Sequence, residues 1–182
     1  MPTDPACVLV DGREFGGLGQ AWRFYAGPVK LRPMTDEEFD EWHEQQLESY
    51  AADIARATGR PIEAARERAR VQDAQLLPDG QSTANTWLMT ICDDDGAAVG
   101  TLWIGCHPER AESAFIYDIE VDESRRGEGL GRAAMIAAED LVKTAGFQKI
   151  GLSVFGFNES AQRLYASLDY RVIATQMTKI LE

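Results

Sequence analysis

The chain is 182 residues long, ample for one α/β domain with a real core and short for two. Its composition, 45% hydrophobic and 26% charged, is that of an ordinary globular protein and excludes disordered and fibrous classes. The net charge of −12 speaks against a nucleic-acid partner, whose phosphates need concentrated Lys and Arg, and suits a cationic small molecule or basic peptide, although acidity also serves solubility alone.

The first 28 residues are the least readable. CVLV reads as a short strand and DG as a turn, while GGLG at 16–19 lacks a strand before it and a helix after it, so this stretch is expected to be an extension outside the domain at 29–182. MPTDPACVLV has neither a basic leader nor a long apolar run, and no segment approaches the roughly 20 apolar residues of a membrane span. The expectation is a cytoplasmic protein with no membrane partner. Cys7, Cys92 and Cys106 are far apart, without CxxC spacing and with only two histidines in the chain, which argues against a metal site or a disulfide scaffold.

From Val29 the pattern sharpens. VKLRPM alternates as a strand, and Thr35 and Glu38 have the spacing of a capping box that opens a helix. Phe39, Trp42, Tyr50 and Ile54 recur near helical spacing, so one face of that helix packs on a core. Gly59 and Pro61 end it and admit a second helix, IEAARERARVQDAQLL. Residues 36–54 carry Asp36, Glu37, Glu38, Asp40, Glu41, Glu44, Glu48 and Asp53 with no Lys or Arg, which fits a solvated face or the lining for a cationic substrate.

The period then changes. TWLMTICD and AAVGTLWIG flank Asp94-Asp95-Gly96 as a β-hairpin, and SAFIYDIEV follows as a third strand. Leu130, Ala134, Ala137, Leu141 and Ala145 trace a helical stripe; KIGLSVF is a strand, Asn158 caps a short helix, and YRVIATQMTKIL closes the chain as a strand. The expected order is β-α-α-β-β-β-α-β-α-β. The four tryptophans read as core and wall, and His43 and His107 as surface or capping residues.

Between the third strand and the long helix lies RRGEGLGR. A dinucleotide fingerprint needs G-x-G-x-x-G and a carboxylate at the end of the next strand; here Gly127 opens G-x-G-x-G and the next strand ends in Phe155-Gly156-Phe157-Asn158. A Walker loop needs G-K-[ST], and Gly131 is followed by Arg132. What remains is either a bare tight turn or a cradle for a pyrophosphate, in which successive amides and a helix N-terminus face one anion, with Arg126 and Arg132 adding charge.

Arg126-Gly127-Glu128-Gly129-Leu130-Gly131 fits the Q/R-x-x-G-x-G/A signature of the GNAT superfamily of acyl-CoA N-acyltransferases, and Asn158-Glu159-Ser160-Ala161-Gln162-Arg163-Leu164-Tyr165 resembles its N-x-x-A-x-x-L-Y segment. The element order from Val29 onward also resembles that fold. The resemblance implies a mixed α/β domain, with a central, largely antiparallel twisted sheet and helices on both faces. It implies that backbone amides from Arg126 to Arg132 hold the pyrophosphate of acetyl-CoA, and that the strand ending at Val121 pairs with its pantetheine arm. Asn158 would contact the same arm, and Tyr165 would protonate the departing thiolate. One departure is Asp169-Tyr170, where family members often have Gly before an aromatic residue; Asp tolerates the left-handed cap that the position needs.

Attack on a thioester needs a neutral amine, so a base or a water relay must take its proton. Asp118 and Glu120 alternate on one face of the strand beside the implied thioester, with Glu120 the first candidate for the base and Asp118 the second; the alternative is that either pairs with an arginine or an amide. An amide near Ile119 to Val121 could hold the oxyanion. The expected activity is direct transfer of acetyl from acetyl-CoA to a primary amine of a cationic small molecule. The alternatives are a protein or peptide acceptor, and a non-catalytic acyl-CoA sensor. The superfamily's habits imply a homodimer.

Overall fold

The computed structural model describes residues 27–107 and 110–179; the expected CVLV strand and the GGLG segment lie outside the described residues. Nine elements follow in order: β1 (Val29–Pro33), α1 (Asp36–Thr58), α2 (Ile62–Leu76), β2 (Thr86–Asp93), β3 (Ala98–His107), β4 (Arg110–Val121), α3 (Leu130–Thr144), β5 (Lys149–Leu152) and α4 (Glu159–Ala166). They form two compact units, whose described parts are 27–40 with 79–153, and 41–78 with 154–179.

In the first unit the strands form one sheet in the order β1-β2-β3-β4-β5, antiparallel throughout except for the parallel pair β4–β5. The β2–β3 hairpin turns where Asp-Asp-Gly requires it: Gly96 has φ +84 and its amide donates to the Asp93 carbonyl at 3.0 Å. Register places Met89 opposite Leu102, and Trp87 and Ile116 on either side of Ile104, so these side chains share one face. Helix α3 covers that face, touching β1 and β4 and burying Leu130, Ala134, Met135, Ala138 and Leu141. The Trp87 ring meets Phe147, just past the helix, edge to face at 6.0 Å. Leu102 and Ile104 are fully buried, each worth about 1.5–3 kcal/mol of transfer free energy.

The opening of α1 is tied to this sheet by the capping box read from the sequence. The Glu38 amide donates to Thr35 Oγ1 at 3.2 Å and the Thr35 amide to Glu38 Oε2 at 2.9 Å. Arg32 of β1 adds a bidentate pair to the Glu38 carboxylate, both contacts 2.6 Å, and Thr90 of β2 donates to it at 3.1 Å. These donors hold the Glu38 carboxyl down to about 2, the Arg32 hydrogen bonds contributing most.

The second unit packs α1 on α2 through small side chains. Ala51, Ile54, Ala65 and Ala69 are its buried core, with Leu47, Tyr50, Ala55 and Phe155 against them. The seam carries polar contacts as well: His43 Nε2 lies 2.9 Å from Asp73 Oδ2, Tyr50 donates to Gln72 at 3.1 Å, and Arg66 bridges to Glu48 at 2.9 Å. His43, expected as a surface or capping residue, is a half-buried partner of α2.

The closing strand expected from YRVIATQMTKIL is not formed among the described residues. Residues 171–179 have no regular structure, and Val172, Ile173 and Met177 are 84%, 84% and 89% exposed. Alternation makes a segment able to pair, but the ladder needs a neighbouring strand, which local sequence cannot specify. The departure at Asp169 resolves as expected: its φ of +65 supplies the left-handed cap, and the Tyr170 amide donates to the Tyr165 carbonyl at 3.0 Å.

A carboxyl depressed by folding stabilises the native state above its unfolded value and loses that contribution as pH falls through the folded one. Glu38 should therefore make the protein progressively less stable between its ordinary value of 4.5 and about 2. Urea unfolding of wild type and Arg32→Met across that window should give a shallower pH dependence for the variant. Parallel curves would remove the pair from this role.

Candidate functional site

Strand β4 changes character at its middle. Trp103 pairs with Asp118 but Ile104 pairs with Ile116, so Tyr117 is an extra residue, a β-bulge. Pairing with β5 also ends there, at Ile116 opposite Leu152, while β4 continues to Val121. The Asp122 amide donates to Val99 at 2.9 Å, which makes Asp122 and Val99 a hydrogen-bonded pair. By alternation Glu120 and Asp118 direct their main-chain groups at β3, and Ile119 and Val121 direct theirs at the open edge. The edge is usable: the Val121 carbonyl already accepts from Arg126 Nε at 3.2 Å.

Asp118 and Glu120 share one face of β4, opposite Trp103 and Thr101 of β3. Asp118 is half-buried beside the bulge. Next to it the Tyr117 ring lies 4.8 Å from that of Trp103, and its hydroxyl donates to the Cys106 carbonyl at 2.7 Å. Glu120 is more open, its side chain 62% exposed and 3.3 Å from the Arg126 guanidinium. An exposed pair of this kind is weak and exchanges readily with other partners.

After β4 a short turn at Glu123–Arg125 delivers the glycine loop. Gly127 has φ +86 and Gly129 φ +81, the left-handed region in which a side chain is strained. A Cβ built at either would meet nothing within 4 Å, so backbone conformation rather than crowding selects glycine, and the space in front of the loop is open. The Arg126 amide is used within the turn, donating to Glu123 at 3.3 Å. The amides of Gly127, Glu128, Gly129, Leu130 and Gly131 have no backbone acceptor among the described residues; Gly129 is the N-cap of α3 and offers no side-chain cap. Consecutive unengaged amides at a helix N-terminus, two of them at glycines without Cβ, fit a pyrophosphate.

The loop is braced by a residue that motif matching passes over. Arg125 holds Glu128, the residue between the two left-handed glycines, with Nε 3.1 and 3.0 Å from the two carboxylate oxygens, and reaches Asp93 Oδ2 at 3.0 Å with its other arm. Asp93 in turn closes the β2–β3 turn, its Oδ1 accepting from Asp95 and Ala97 at 3.1 and 3.0 Å. The Arg125 hydrogen bond holds the Asp93 carboxyl below the usual carboxylate range. The signal was present in the i,i+3 spacing of Arg125 and Glu128; the link to Asp93 depended on the fold.

The other predicted residues stand in the second unit. Asn158 caps α4, its Oδ1 accepting from the Ala161 amide at 3.1 Å. Gln162 donates to the Phe155 and Gly156 carbonyls at 3.2 and 3.0 Å, which fixes the loop ahead of the cap. Tyr165, half-buried on α4, has its ring 6.0 Å from that of Tyr170. Among the described residues no cluster of His, Cys, Asp and Glu could hold a metal ion, and no helix is long and apolar enough to cross a membrane.

Residues 20–170 match the model of the acetyltransferase (GNAT) family. Two Bacillus subtilis proteins are similar over nearly their whole length: the uncharacterized N-acetyltransferase YycN, 30% identical over 84% of this chain and 99% of the relative, and the uncharacterized N-acetyltransferase YdgE, 29% identical over 83% and 97%. The crystal structure of YycN superposes with a TM-score of 0.79, covering 85% of this chain and 99% of that one. The structure of AAC(6')-Iy in complex with a CoA bisubstrate analog, 15% identical and covering 86% of this chain and 99% of that one, shares the fold with a TM-score of 0.52.

If the Arg125 brace presets the loop, Arg125→Gln should raise the acetyl-CoA KM by about threefold to tenfold and change kcat by less than about twofold. Steady-state kinetics at saturating acceptor separates the two; a loss confined to kcat would contradict the role.

Proposed function

The chain belongs to the acetyltransferase (GNAT) family and is an acetyl-CoA-dependent N-acetyltransferase; from that premise we propose that it transfers the acetyl group directly to a primary amine of a cationic small molecule. The observation that carries the reading is the conjunction, within one compact unit, of five unengaged loop amides, an open β4 edge and two carboxylates on that strand. The chain's net charge of −12 favours a cationic acceptor over an anionic one.

Acetyl-CoA supplies an activated acyl group on a thiol leaving group. The amides of Gly127 to Gly131 and the α3 N-terminus bind its pyrophosphate, and the outward main-chain groups of Ile119 and Val121 take its pantetheine arm as an added strand. Arg126 and Arg132 add charge at the cradle, and Leu130 seats the helix start by being buried beneath it. Asn158 contacts the arm and orders α4 from its first turn. Glu120 accepts the proton of the acceptor ammonium, directly or through water, with Asp118 as the second candidate. An outward amide of β4 stabilises the negative charge that develops on the carbonyl oxygen as the C–N bond forms. The C–S bond then breaks, and Tyr165 gives its hydroxyl proton to the thiolate. The N-x-x-A-x-x-L-Y match supports this last role. No acyl-enzyme is formed, and the protein works in the cytoplasm.

Thiol release from acetyl-CoA, measured against a panel of monoamines, polyamines, aminoglycosides and short peptides, tests the reading. Release should depend on a cationic small amine. Tyr165→Phe should lower kcat at least about tenfold with the acetyl-CoA KM nearly unchanged, and Glu120→Gln should cost most below the pH optimum, where the acceptor is most fully protonated. Release driven only by peptides would replace the small-molecule acceptor, and acetyl-CoA binding without release by any amine would make the protein a sensor.

A further inference from the structure

Along β4 the even-numbered residues change face. Before the bulge Ile116 pairs with Ile104 and stands with it on the face that α3 covers; after it Asp118 and Glu120 pair with Trp103 and Thr101, whose side chains belong to the other face. A shift of one residue exchanges the two faces of a strand. Without the extra residue at Tyr117, the same sequence would turn both carboxylates into the apolar layer beside Ile116 and bring Ile119 out in their place. A carboxylate without a partner in such a layer is costly, so the placement of the candidate bases depends on the bulge being held at this one position.

The Tyr117 side chain is placed to hold it. Its ring lies 4.8 Å from that of Trp103, the residue that pairs with Asp118, and 5.0 Å from that of Phe115, on the other side of the bulge. Between those anchors it lies over Gly105, where a Cβ would come within 3.0 Å of Tyr117 Cε2, closer than the ring could accept without moving. Gly105 has no left-handed φ, so space and not backbone conformation selects glycine there. Past Gly105 the hydroxyl donates to the Cys106 carbonyl at 2.7 Å. One half-buried side chain of the bulged strand therefore grips β3 from Trp103 to Cys106.

We propose that Tyr117 is a positioning residue for acyl transfer, a role that rests on the transfer reading above: its ring in the Gly105 notch and its hydroxyl on the Cys106 carbonyl fix the phase of β4, and so keep Asp118 and Glu120 on the face where the acceptor's proton is taken up. Tyr117 takes no proton itself and acts through the strand. Its effect is separable from that of the glycine loop, which Arg125 holds by other contacts, to Asp93 and Glu128. Loosening the latch should slow proton removal and leave the binding of acetyl-CoA nearly as it was.

Amide hydrogen exchange of the substrate-free full chain, compared for wild type and Tyr117→Phe, reads the latch itself. The variant keeps the ring and loses the hydroxyl. Exchange at Asp118 and Glu120, whose main-chain groups face β3, should quicken about threefold to tenfold while the β2–β3 ladder is unchanged. In thiol release with spermidine, or with the fastest amine of the panel above, kcat should fall about fivefold or more and the acetyl-CoA KM should stay within about twofold. Gly105→Ala crowds the same ring from the other strand and should give the same split. Because both changes act on one ring, the double variant should lose less than the product of the two single losses. Multiplicative losses, unchanged exchange at Asp118 and Glu120, or a Tyr117→Phe kcat equal to wild type would overturn the proposal. So would quickened exchange spread along the β2–β3 ladder, the mark of a contact that is only structural. Wild type that releases no thiol with any amine sinks the transfer reading, while local quickening in Tyr117→Phe still establishes the latch.

Discussion

Strand β4 gains an extra residue at Tyr117 and loses its parallel neighbour at Ile116, and the cofactor side of the proposed site depends on that coincidence. A strand buried between two partners has no main-chain groups to offer. One whose second partner stops halfway presents an ordered row of them on an otherwise rigid scaffold. The bulge increases local twist where the two strands part, and Asp118 and Glu120 lie on one face of the sheet with their cross-strand partners Trp103 and Thr101. The hydrophobic face beneath α3 makes the arrangement rigid, since Leu102, Ile104 and Ile116 anchor β3 and β4 in register just before the edge opens.

The same constraint explains how an acidic protein can bind an anionic cofactor. The field of a chain with net charge −12 repels a pyrophosphate at long range, so attraction must be local and directional. Backbone amides serve this purpose because they carry no net charge and lose nothing to neighbouring carboxylates. Their orientation then matters more than the arginine count. Arg125 pairs with Asp93 and Glu128, and Arg126 with Glu120 and the Val121 carbonyl, so these side chains brace the loop and leave its amides unengaged. The Arg125 pair to Glu128 matters in itself, since that carboxylate stands in the middle of the proposed cradle.

Where the decisive interactions are local, the sequence was readable. The Thr35–Glu38 capping box, the Asp-Gly hairpin turn, the glycine loop, the Asn158 cap and the left-handed Asp169 all occur where their residues demand. Each is set by contacts within a few residues. The element order was legible to α4 for the same reason. What remained hidden depends on contacts distant in sequence: the Tyr117 bulge needs the β3 register, the Asp93–Arg125 link joins a turn to a loop, and His43 finds Asp73 only once α1 and α2 pack. The final strand fails in the opposite direction, since residues 171–179 have the alternation of a strand and no ladder among the described residues.

The most direct measurement of the central claim is amide hydrogen exchange of the full chain with and without acetyl-CoA. The account predicts new protection at Ile119 and Val121, whose amides face the open edge of β4, and at Gly127 to Gly131. Glu120, already bonded to β3, should change little. Protection confined to α1 and α2, or an unchanged pattern along β4 and the glycine loop at saturating cofactor, would contradict it.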